Sequence, residues 1–98
     1  MDIAKQNDAD KLILFLDGKL DTLTASQLDA ALEEAFEECD NVEVNLEKLS
    51  YVSSAGLRVL IATHKRVMDK GRLEISHANG TVLDVLEATR FTTYLNMI

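Results

Sequence analysis

Residues 42–68, VEVNLEKLSYVSSAGLRVLIATHKRVM, change periodicity partway along. Val42, Val44 and Leu46 alternate with Glu43 and Asn45, the period of two expected of a strand with one face in a core. Leu57, Leu60, Ile61, His64, Val67 and Met68 then recur at three- and four-residue spacings, which is the stripe of an amphipathic helix. Glu47 to Val52 reads as a connection, and Ser53-Ser54-Ala55-Gly56 as the opening of the helix. Its end is expected at Gly71 in a left-handed cap, with Lys65, Arg66 and Lys70 near the negative end of the helix dipole.

The same alternation extends in both directions. Upstream, Lys11 to Leu16 is a short apolar run that reads as a buried strand closed by a turn at Asp17-Gly18, and Met1 to Lys5 reads as an edge strand beside it. Leu28, Ala31, Leu32, Ala35, Phe36 and Cys39 form a second helical stripe, with Glu33, Glu34, Glu37 and Glu38 turned outward. Thr24 and Gln27 fit a capping box at its start, and Leu23 and Leu28 a hydrophobic staple. Asp40-Asn41 breaks it. Downstream, Leu73-Glu-Ile75 reads as a strand, Asn79 or Thr81 as the cap of a short helix carrying Val82, Val85 and Leu86, and Tyr94 to Ile98 as a closing strand. Strands alternating with helices imply an α/β (mixed α+β) fold, a mainly parallel central sheet of four to five strands with three helices and right-handed crossovers. Sites in such folds lie beyond the carboxyl ends of the strands, which selects Asp17–Thr24 and Glu47–Gly56.

A chain of 98 residues is long enough for one core, so residues 1–98 are expected to form a single domain. The longest apolar run, Leu12 to Leu16, is far too short to span a bilayer, and Met1 to Asp10 lacks the basic and apolar regions of a secretory signal; a cytoplasmic location is expected. One cysteine and two histidines, Cys39, His64 and His77, allow no internal disulfide and none of the usual zinc spacings. The net charge of −7, with no basic cluster longer than Lys65-Arg66, opposes binding to nucleic acid or anionic lipid and leaves a protein as the expected partner.

Two hydroxyls and two small residues open the second long helix. Helix first turns carry unpaired N–H groups and the positive end of a dipole, so a phosphate attached there is electrostatically tolerated, and Ala55 and Gly56 leave room for another protein. The ordinary role of a serine at such a place is a cap contributing about 1 kcal/mol. Catalysis is poorly served: Gly-x-Ser-x-Gly is absent, and neither His64 nor His77 is placed by sequence to act as a base. A Gly-x-x-x-x-Gly-Lys nucleotide loop is absent too.

The run Leu46-Glu-Lys-Leu-Ser-Tyr-Val-Ser-Ser-Ala-Gly-Leu-Arg-Val-Leu60 closely resembles the signature of the STAS family, and Gly18-Lys-Leu-Asp21 resembles the turn before that family's first helix. Element order and length are similar to those of the free-standing bacterial anti-sigma factor antagonists. That resemblance implies a serine phosphorylated by an anti-sigma factor kinase and dephosphorylated by a PP2C-type phosphatase. Aligning Gly56-Leu57 with the motif's Gly-Leu puts the modified residue at Ser54, with Ser53 the alternative; the motif often carries aspartate where this chain has Ser53. It further implies that Asp21 is an acidic neighbour of the phosphosite, that Thr22, Ser53, Ala55, Gly56 and Arg58 surround it, with Glu47 and Ser50 as flanking contacts, and that the protein acts as a monomer without a permanent cofactor. A constitutive interaction subunit, such as the small STAS subunit of bacterial lipid-transport complexes, is the competing reading.

Overall fold

Alternating burial along the strands decides which face of the sheet carries the helices. The computed structural model describes residues 1–98 as β1 (Asp2–Asp8), β2 (Lys11–Leu20), α1 (Ala25–Glu38), β3 (Asn41–Val52), α2 (Ser54–Val67), β4 (Arg72–Ser76), α3 (Gly80–Ala88), a 3-10 turn at Phe91–Thr93, and β5 (Asn96–Met97). Leu12, Leu14 and Leu16 of β2 point to one face and are buried, and Val42, Val44 and Leu46 of β3 do the same. Parallel register aligns them into rows, Leu12–Val42–Leu73 and Leu14–Val44–Ile75. Leu28 and Leu32 of α1, Leu57 and Leu60 of α2, and Val82 and Leu86 of α3 join those rows in one cluster of 20 buried residues.

The sheet order is β1-β2-β3-β4-β5, with only β1 antiparallel to its neighbour. Each parallel connection therefore steps one strand in the same direction, and crossovers of one hand lay all three helices on one face. The opposite face is polar at its centre. Lys11 Nζ lies 3.1 Å from Glu43 and 2.9 Å from Glu74, and Ser76 Oγ donates to Glu43 at 2.5 Å. These partners account for the burial of Glu43 outside the core.

Asp17-Gly18 is not a turn, and Glu47–Val52 is not a connection. Both stretches are strand. Phe15 pairs with Asn45 but Asp17 with Lys48, and Gly18 pairs with Leu49 but Lys19 with Tyr51, so β3 carries an extra residue at each of two irregularities. Gly18 sits at a φ of +119°, open to glycine and strained for other residues. The extra residues shift the phase of β3, so its buried apolar positions run Leu46, Leu49, Val52 at a spacing of three instead of two.

The end of α2 also differs from expectation. Gly71 has no left-handed φ; it is required because a Cβ there would stand 2.1 Å from the Asp40 carbonyl oxygen. The crossing is stitched by Gly71 N–H to Val67 O at 2.7 Å and Arg72 N–H to Asp40 O at 2.9 Å. The stripe ends at Val67, one residue early, since Met68 is 63% exposed, while Thr63, which the apolar pattern omits, is fully buried. Asn79 precedes α3, yet its side chain caps nothing: Asn79 Nδ2 donates to the carbonyls of Glu47 and His77. Gly71→Ala is expected to lower unfolding free energy by about 1–3 kcal/mol, the range for overpacking against a backbone that cannot yield, as read from urea denaturation midpoints.

Candidate functional site

β2 and β3 are parallel and end side by side, Leu20 against Val52. The chains leaving them are joined at once: Ser53 N–H donates to the Leu20 carbonyl at 2.8 Å. Ser53 then turns into α2. Its backbone is extended (φ −97°, ψ 170°), its Oγ accepts from Gly56 N–H at 3.3 Å, and its carbonyl accepts from Leu57 N–H at 3.0 Å. Ser53 is thus the N-cap of α2, half-buried and engaged through side chain and backbone. Aspartate and serine rank together among the best N-caps, so serine at the motif's aspartate position retains the cap.

Ser54 is the first helical residue and is exposed. Its hydroxyl takes part in none of the hydrogen bonds that build the turn, which run through Ser53. Ala55 beside it is half-buried. Gly56 is buried against Leu20: a Cβ at position 56 would stand 2.5 Å from Leu20 Cγ, and Leu20 is itself fully enclosed. Glycine is what lets the first turn of α2 settle onto the end of β2.

The segment from β2 to α1 forms the other wall. Asp21 Oδ1 accepts from Leu23 N–H at 3.0 Å, from Thr24 N–H at 2.9 Å, and lies 3.1 Å from Thr24 Oγ1. Thr24 Oγ1 accepts from Asp21 N–H and reaches the Lys19 carbonyl, each at 2.8 Å. The Thr24 amide, then its hydroxyl and the Leu23 amide, hold the Asp21 carboxyl below the ordinary carboxylate range. Asp21 is therefore the keystone of its own turn. This corrects the capping box: Thr24 precedes α1 without a side-chain cap, its oxygen being used backward, and Gln27 Nε2 donates to Met1 O at 2.8 Å. It corrects the staple as well, because Leu23 is 86% exposed.

The rim of the two loops thus contains Asp21, exposed Thr22, Leu23, Ser53, Ser54 and exposed Arg58, whose Nε donates to the Ser54 carbonyl at 3.4 Å. Ser50 and Glu47 belong to β3; Ser50 Oγ donates to Gly18 O at 3.0 Å, and Glu47 N–H donates to Asn45 Oδ1 at 2.9 Å. Leu23 and Tyr51, the latter 46% exposed, are rim residues that sequence reasoning did not select, because exposure cannot be read from a lone apolar residue in a loop. Neither histidine hydrogen-bonds Ser54: His77 Nδ1 lies 3.3 Å from Asn45 Nδ2, and His64 is half-buried on α2. No three His, Cys, Asp or Glu side chains converge as metal ligands would.

The STAS domain family model matches residues 1–98. An anti-sigma F factor antagonist of Paenibacillus polymyxa is 31% identical over 62 residues, 61% of this chain and 53% of that protein, so the match spans about half the length of this curated relative. Among solved structures, an anti-sigma factor antagonist from Mycobacterium paratuberculosis superposes with a TM-score of 0.89 at 14% identity, covering 98% of this chain and 83% of the other. The Bacillus cell fate determinant SpoIIAA in its phosphorylated form superposes with a TM-score of 0.72 at 17% identity, covering 99% and 91%. At these identities the solved structures establish a shared fold.

Two outcomes check the geometry of the rim. Ser53→Ala should cost about 1 kcal/mol of unfolding free energy in urea titrations, while Ser53→Asp should leave it within a few tenths. Asp21 has a depressed folded value, so its stabilisation is present above its unfolded value and is lost as pH falls through the folded one. Asp21→Asn keeps a side-chain acceptor but no charge; its melting temperature should therefore fall less steeply than that of the parent as pH drops below about 4.

Proposed function

Because the chain belongs to the STAS family, we propose that it is a single-domain anti-sigma factor antagonist, monomeric and cytoplasmic, whose unphosphorylated form binds an anti-sigma factor/serine kinase and so releases the sigma factor that this partner holds. Phosphorylation at Ser54 ends that binding, and a PP2C-type phosphatase restores it. The protein is a substrate and a binding partner in this scheme, and it needs no cofactor of its own; ATP and magnesium belong to the kinase.

The observation that carries this reading is the unequal use of two neighbouring serines. Ser53 Oγ caps the helix, whereas the Ser54 hydroxyl is exposed at the rim of the sheet and takes no part in the fold. A kinase can take Ser54 without breaking any contact of the chain. The relative from Paenibacillus polymyxa, named for the same role, supports the assignment of partner class.

Charge supplies the switch. A phosphoserine adds about −1.5 to −2 to a surface whose net charge is already −7, and it places strongly hydrated oxygens where a small uncharged hydroxyl had been. A loss of about 3 kcal/mol from repulsion and desolvation corresponds to roughly two orders of magnitude in affinity.

Phosphopeptide mapping after incubation with Mg-ATP and lysate of the source organism tests the assignment. Label on the Ser53-Ser54 peptide should vanish in Ser54→Ala and persist in Ser53→Ala. Loss only in Ser53→Ala would move the switch by one residue. An unlabelled protein, in a lysate that modifies a control antagonist, would favour the constitutive interaction subunit instead.

A further inference from the structure

Arg58 follows Ser54 by four residues, one turn along α2, and both are exposed. Residues at that spacing share a helix face with their side chains in reach of one another. The Arg58 side chain is folded back along the helix, its Nε donating to the Ser54 carbonyl at 3.4 Å. It is also uncommitted: the ion pairs of the chain are Lys5–Glu38, Lys11 with Glu43 and Glu74, and Arg72–Glu74, and none includes Arg58.

The helix end offers a phosphate only part of its first turn. The Gly56 amide is engaged by Ser53 Oγ and the Leu57 amide by Ser53 O, so the cap already consumes two donors of the first turn. Beside the unpaired amides of Ser54 and Ala55, what remains within one turn is a guanidinium with free Nη groups, a planar fork suited to two oxygens of one phosphoryl group. We propose that Arg58 is an intramolecular clamp for the phosphoryl group on Ser54, drawing its charge against α2 in the modified form. This inference rests on Ser54 being the modified residue. No bond is made or broken; a dianion and a cation pair across one turn. Phosphorylation then changes the rim twice, adding negative charge at Ser54 and withdrawing from a partner the exposed cation at Arg58.

The experiment is a double-mutant cycle on protein carrying phosphoserine at position 54 by semisynthesis, in the parent and in Arg58→Ala, each against its unmodified counterpart. The phosphate should shift the melting temperature upward in the parent relative to its shift in Arg58→Ala by about 4 °C, the response of a domain this size to one charge-assisted contact. Arg58→Lys, which keeps charge but loses the fork, should recover part of that difference. In the parent, the Arg58 Nε–H resonance should move downfield and exchange more slowly once the phosphate is present. Equal temperature shifts in the parent and Arg58→Ala overturn the clamp, whatever the resonance does. Since the phosphate sits at Ser54 by synthesis, that result would leave the switch intact, whereas label mapping to another residue would sink the switch and leave the cycle as measured.

Discussion

The hydrogen bond from the Ser53 amide to the Leu20 carbonyl is the contact on which the rim depends. It closes the seam between β2 and β3 at the point where both strands stop, and sets where α2 begins. Every other feature of the rim is referred to it. Gly56 is small because α2 then lies directly on Leu20, and Leu20 is enclosed beneath that turn, beside its register partner Val52 at the end of β3. The turn after β2 is held by its own pair, Asp21 and Thr24, reaching back to Lys19 one residue before the seam. Two loops separated in sequence by α1 and β3 thus share one anchored base.

Anchoring divides the labour between the serines. A hydroxyl that must cap a helix is tied to one geometry, and modifying it would free the Gly56 amide and loosen the turn. The next hydroxyl carries no such duty. On the proposed reading, separating the cap from the acceptor by one residue lets a site be chemically variable on a frame that is not. The motif's usual aspartate meets the same requirement by another route, since a carboxylate caps as well as a hydroxyl and is not itself a target for a serine kinase.

Much of this architecture was legible in the sequence, for identifiable reasons. The stripes of α1 and α2 and the alternation of Val42 to Leu46 are strong periodic signals, and the strand-helix succession then leaves few topologies. The resemblance of residues 46–60 to the STAS signature located the rim. What was lost in reading lies where two rules compete. Asp17-Gly18 carries turn chemistry, but pairing with a bulged neighbour overrides it, and the bulges in turn disguise Glu47–Val52 by giving its apolar residues a spacing of three. Thr24 and Gln27 have the composition of a capping box, yet Thr24 finds a better bargain with Asp21 and Lys19, an alternative no spacing rule contains. Gly71 has the composition of a left-handed cap, but its reason is a neighbour 31 residues away, the Asp40 carbonyl.

The way α2 is held also constrains the kind of switch it can serve. Its first turn is pressed on Leu20, its departing chain on Asp40, and Leu57 and Leu60 are buried between. Displacing such a helix by a turn or a tilt would expose core side chains worth about 1.5–3 kcal/mol each. A surface phosphate with one arginine partner contributes no more than a few kcal/mol and cannot drive that change against a close-packed interior. A chain built this way is suited to signalling by altering the charge of a rigid surface, with the response arising in the partner that docks or fails to dock. On the proposed reading the same rigidity would make the rim legible to a kinase, because the Ser54 hydroxyl is presented from the anchored first turn of α2, one turn before Arg58.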